Sequence, residues 1–141
     1  MSFRIRVEYE PPPLCGILDV HIDGPVLIIE DEESVRGAAV ASLEALGVSD
    51  VITACDGDSG LRLVDERRPA IVLVDLLMPG TDGFGVLQGI RDRPRRLRPG
   101  RVIVMSGIDD PVVERSIYQL GADRLLSKPY HLADLHEALI G

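Results

Sequence analysis

Ile71-Val72-Leu73-Val74-Asp75-Leu76-Leu77-Met78-Pro79-Gly80-Thr81-Asp82-Gly83 is the stretch whose reading decides the fold. Its first four residues are apolar and three of them are β-branched. That composition reads as a strand buried on both faces, delivering one carboxylate, Asp75, where the chain leaves the sheet. Met78-Pro79-Gly80 then forces a turn, because proline fixes φ and removes a donor while glycine adopts conformations closed to other residues. Asp82 stands where it can cap the next helix.

Three further apolar runs have the same form. Val26-Leu27-Ile28-Ile29 ends in Glu30-Asp31-Glu32-Glu33, Val102-Ile103-Val104-Met105 ends in Ser106, and Leu125-Leu126-Ser127 leads into Lys128-Pro129. If these strands are parallel neighbours, their C-terminal ends gather Glu30, Asp31, Asp75, Ser106 and Lys128 along one edge, where open α/β sheets bind ligands. Clustered carboxylates repel one another and imply a raised pKa or a bound cation, and all-oxygen donors select a hard ion such as Mg²⁺.

These four motifs, in this order and at these intervals, resemble the receiver domain of two-component response regulators, over residues 25–141. The resemblance implies a doubly wound α/β fold with a five-stranded parallel sheet in the order 2-1-3-4-5. It also implies that Asp75 accepts a phosphoryl group from a sensor histidine kinase or a histidine phosphotransfer protein and so switches the binding of a downstream output protein. Ser106 and Lys128 would contact the transferred group. Asp31 and Asp75 would ligate Mg²⁺ directly, Glu30 through water, and Leu77 through its backbone carbonyl. Such a domain catalyses its own phosphorylation and dephosphorylation and is not otherwise an enzyme. The alternative is a scaffold of the same fold that acts without phosphorylation. Family members usually carry an aromatic residue three positions before the lysine; here that position is Leu125, which implies an atypical output switch.

Composition agrees with one compact module. The chain has 141 residues, 45% of them apolar, and a formal net charge of −8, which argues against a nucleic-acid footprint because phosphates would be repelled. Cys15 and Cys55 are too few for a disulfide framework or a four-ligand zinc site, so both read as reduced thiols of a cytoplasmic protein, Cys55 as a packing residue. No apolar run approaches the roughly 18 residues that suggest a membrane span, and no signal peptide is legible.

Residues 1–24 form an extension outside the family pattern. Phe3-Arg4-Ile5-Arg6-Val7-Glu8-Tyr9-Glu10 alternates apolar and charged residues, and Leu18 to Asp23 alternates again. Such segments read as a β-hairpin or two edge strands, with homodimerisation as the expected use, or as a flexible tail. Helices are expected over residues 34–46, 59–68, 83–92, 111–120 and 132–140. The third is weakened by Gly85 and Gly89 and is expected to be short or mobile. Between it and the fourth strand, residues 91–101 include six arginines. This segment reads as a solvated loop offsetting the acidic crevice, or as a docking patch for an acidic partner.

Overall fold

The computed structural model describes residues 20–141. In chain order these form β1 (Val26–Ile29), α1 (Glu33–Ala45), β2 (Val51–Ala54), α2 (Gly57–Arg67), β3 (Ile71–Asp75), α3 (Gly83–Asp92), β4 (Arg101–Ser106), α4 (Pro111–Gln119), β5 (Arg124–Ser127) and α5 (Leu132–Ile140). A single turn of 3₁₀ helix, Arg95–Leu97, lies between α3 and β4. All four strand pairings are parallel and the sheet order is β2-β1-β3-β4-β5, as the resemblance implied.

Side chains alternate across a strand, so each central strand feeds two cores. Val26, Ile28, Leu73, Ile103 and Met105 point to a layer closed by Leu43 and Leu46 at one end and Leu135 and Leu139 of α5 at the other. Leu27, Ile29, Val72, Val74, Val102 and Val104 point to the opposite layer, closed by Val64 of α2, Val86, Leu87 and Ile90 of α3, and Ile117 of α4. The uninterrupted apolar runs of β1 and β3 are therefore required: neither face of these strands meets water.

The boundaries expected for α3 and α5 hold, and Asp82 and Asp110 cap α3 and α4 by accepting from Gly85 N and Val112 N. Helix α2 starts two residues earlier than its pattern suggests, at Gly57, because Asp56 caps it by accepting from Ser59 N at 2.7 Å. Of the two glycines expected to weaken α3, Gly89 also serves its packing, as does Gly83 at the helix start. A Cβ on Gly89 would lie 2.7 Å from Leu61 Cδ1 on α2, and one on Gly83 would lie 2.7 Å from the Leu76 Cα. The helix trades intrinsic propensity for close approach and runs its full ten residues.

Two expectations need correction. Cys55 is exposed rather than packed; it lies at the end of edge strand β2, beyond the reach of either core. The arginine segment does not offset the acidic crevice, because it precedes β4 and so sits at the opposite, N-terminal end of the sheet. Its guanidinium groups are largely used within the fold. Arg93 pairs with Asp65 through two nitrogens at 2.7 and 2.8 Å, Arg98 donates to the carbonyls of Arg91 and Arg93, and Arg101 donates to the carbonyl of Ala138. Prolines deny this stretch a helical ladder, and arginine side chains satisfy the freed carbonyls.

Residues 1–19 of the extension, including the alternating run at 3–10, lie outside the described residues. Residues 20–23 form no strand, yet their alternation is visible as burial: Val20 is in the core and donates to the Leu46 carbonyl, Ile22 packs behind it, and His21 and Asp23 face outward.

Candidate functional site

Strand register assembles the site. Ile29 pairs with Val74, so Glu30 and Asp75 leave the sheet side by side; Asp75 pairs with Met105, which puts Ser106 one step beyond; and Ser106 pairs with Ser127, which delivers Lys128 next. The crevice lies where β1 and β3 meet, the point at which connections from neighbouring strands run to opposite faces and leave a gap.

Carboxylate oxygens of Glu30, Asp31 and Asp75 all lie within 4.8 Å of one another. Glu30 is buried and accepts at Oε2 from Glu32 N at 3.1 Å, whereas Asp31 is exposed at the mouth. Asp75 is more enclosed than a bare strand end suggests, its side chain only 11% exposed. Lys128 closes over it, its Nζ donating to Asp75 Oδ1 at 2.6 Å and to Glu30 Oε1 at 3.5 Å. Burial pushes the Glu30 carboxyl above its ordinary range, against the Glu32 N–H, and the negative charge of Asp75 adds to the rise. Burial alone would favour a neutral Lys128, but the hydrogen bond and charge of Asp75, with Glu30 behind it, hold the ammonium above its ordinary value. One ammonium among three carboxylates leaves an excess of negative charge around hard oxygen donors, a donor set that suits a small divalent cation.

Ser106 is buried at the far side, where its Oγ accepts from Ile108 N at 3.0 Å, and Lys128 N donates to the Ser106 carbonyl. Leu77, 60% exposed, lies on the loop after β3, and Ile108, 37% exposed, lies on the loop after β4. The structure therefore brings together every side chain the sequence nominated, with Leu77 at the rim. A residue that sequence reasoning missed is Arg36, whose guanidinium donates to the Glu30 carbonyl at 3.0 Å and ties α1 to the acidic turn. Its only sequence signal is a cation six residues after an acid, too common to notice.

The family model described as the response regulator receiver domain matches residues 26–140. The chain is a response regulator receiver domain. Among its relatives is the Rhizobium etli protein described as "Probable chemotaxis protein CheY", 32% identical over 81% of this chain and 88% of that one. The transcriptional regulatory protein AfsQ1 of Streptomyces coelicolor is 35% identical over 74% of this chain, but the match spans only 44% of that longer protein. Among solved structures, the signal receiver domain of the DNA-binding response regulator merR from Colwellia psychrerythraea superposes with a TM-score of 0.74 at 28% identity, covering 82% of this chain and 94% of that one. The receiver domain of the histidine kinase CKI1 from Arabidopsis thaliana, solved with Mg²⁺ and BeF₃⁻, matches with a TM-score of 0.72 at 26% identity over 90% of this chain and 92% of that one. Among the described residues of this receiver domain, no helix is long and apolar enough to cross a membrane.

Proposed function

We propose that Asp75 is the phosphoacceptor of this receiver domain. The observation that carries the reading is the Asp75 carboxylate at the end of β3, held by Lys128 Nζ at 2.6 Å within a cluster of three carboxylates. Asp31 and Asp75 are suited to hold Mg²⁺ directly, Glu30 through water, and Leu77 through its backbone carbonyl. Bound there, the ion would neutralise charge on the carboxylates and the incoming phosphoryl oxygens.

A carboxylate oxygen of Asp75 attacks the phosphorus of a phosphohistidine on a kinase or phosphotransfer protein. The new O–P bond forms as the P–N bond breaks, and the departing imidazole takes a proton from solvent. Lys128, already beside Asp75 Oδ1, moves its ammonium onto the phosphoryl oxygens, and the Ser106 hydroxyl donates to another. Water later attacks the same phosphorus and releases inorganic phosphate, which restores the carboxylate. The reaction serves signalling rather than turnover of a small metabolite. Phosphorylation adds nearly two negative charges, so the shift of Ser106 and its loop alters what the domain binds. The domain acts in the cytoplasm, where its donors reside, and residues 1–24 are an extension that supports self-association, joined to the domain where Val20 and Ile22 pack on its core.

Intact mass after incubation with Mg²⁺ and acetyl phosphate tests the assignment. Wild type should gain one phosphoryl group, Asp75→Asn none, and Asp31→Ala much less than wild type. An adduct that persists on Asp75→Asn would overturn it.

A further inference from the structure

The side chain of Tyr118, near the C-terminal end of α4, reaches across to strand β5, where its hydroxyl accepts from Leu125 N at 3.1 Å. β5 is an edge strand. Lys128 N points inward to the Ser106 carbonyl, and donors alternate along a parallel strand, so Leu125 N–H points outward from the sheet. Tyr118 thus covers a backbone donor that would otherwise stand open at a sheet edge.

Helix α4 is lightly seated. Of its nine residues only Ile117 is buried, and Val112 at its start is 61% exposed. Its C-terminal end is fixed by the Tyr118 bond and by the Arg91 guanidinium, which donates to the Gln119 carbonyl. Its N-terminal end continues from residues 107–110, the loop whose Ile108 N–H is held by Ser106 Oγ. One end of the helix is therefore tied to the crevice and the other to the edge of β5.

Building on the phosphoacceptor reading, we propose that Tyr118 is a latch between α4 and β5 that belongs to the state in which Lys128 pairs with the free Asp75 carboxylate, and that phosphorylation releases it. When Ser106 donates to a phosphoryl group on Asp75, residues 107–110 are drawn inward and α4 turns about Ile117. The latch is one hydrogen bond of 3.1 Å, and a displacement of roughly 0.5 Å ends it. Release frees α4 and uncovers the Leu125 N–H at the sheet edge.

Because the latch stabilises only one state, its removal must favour the other. In a titration of the full chain with beryllofluoride and Mg²⁺, followed by amide shifts, Tyr118→Phe should bind roughly threefold to tenfold more tightly than wild type, the equivalent of one net hydrogen bond. Equal or weaker binding by the variant overturns the latch. Hydrogen exchange of the Leu125 amide in wild type gives an independent measurement should the variant fold poorly: it should be protected without beryllofluoride and exchange at least about tenfold faster with it. Unchanged protection also overturns the latch. A wild type that does not respond to beryllofluoride at all overturns the phosphoacceptor reading, and the latch with it.

Discussion

At the scale of single residues, the crevice is defined as much by two apolar side chains as by its acids. Leu77 and Ile108 stand exposed on the loops at either side of Asp75, and neither offers a group that could hydrogen-bond an attacking water. Leu77→Asn supplies such a group, and the acyl phosphate should then decay about threefold to tenfold faster, the worth of one net hydrogen bond. Loss of the intact-mass adduct after removal of the donor measures this, and an unchanged lifetime would place Leu77 outside the path of water. A second prediction concerns Asp65, whose carboxyl is held below its ordinary value of 3.8 chiefly by the hydrogen bond from Arg93. A carboxyl depressed in the folded state contributes stability that is present above its unfolded pKa and is lost as pH falls through the folded one. Asp65 is half exposed, so the contribution is at most about 1 kcal/mol. Melting curves should show Asp65→Asn less stable than wild type near neutrality, with the gap closing below pH ~4.

At the scale of elements, glycine positions decide how closely helices approach the sheet. Gly83 opens α3 directly beneath the loop that follows Asp75, and a Cβ there would meet the Leu76 Cα at 2.7 Å and the Asp75 carbonyl at 2.8 Å. Both are backbone atoms and cannot turn aside. Gly83→Ala should cost about 2 kcal/mol in denaturant titrations, as overpacking does, and should slow phosphorylation by moving Asp75. Gly37, whose Cβ would meet nothing within 4 Å, is the control and should tolerate alanine or gain from it. Strand β5 carries leucine at 125, where the family usually has an aromatic ring, and in the structure that leucine packs partly against the core while its backbone is covered by Tyr118. The coupling between crevice and edge strand is thus carried by a ring on α4.

At the scale of the whole molecule, charge is separated along the strands. The crevice end gathers Glu30, Asp31, Glu32, Glu33 and Asp75, while the arginines of residues 91–101 lie at the other end and are spent largely on carbonyls and Asp65. The domain also extends slightly before its first strand, since Val20 is buried and bonded to Leu46. A chain beginning at Pro25 should therefore be about 1–2 kcal/mol less stable in thermal or denaturant unfolding than one beginning at Val20, the cost of losing one buried valine. Equal stability would show that residues 20–24 contribute nothing. Much of this architecture was legible beforehand, because a strand buried on both faces must be written as an unbroken apolar run and must end where a polar residue can be tolerated. β1, β3 and β4 each obey that demand, and so Glu30, Asp75 and Ser106 could be named as strand-end residues from composition and order alone. The sheet order itself came with the family resemblance, for periodicity says which residues are buried but not which strands are neighbours. The tertiary structure alone decided the rest: Lys128 over Asp75, Arg36 on the Glu30 carbonyl, the far-end position of the arginines and the Tyr118 hydroxyl on Leu125 N. Each of these depends on the separation of side chains carried by different elements, a distance set by how helices seat on the sheet and not by any local preference of the chain.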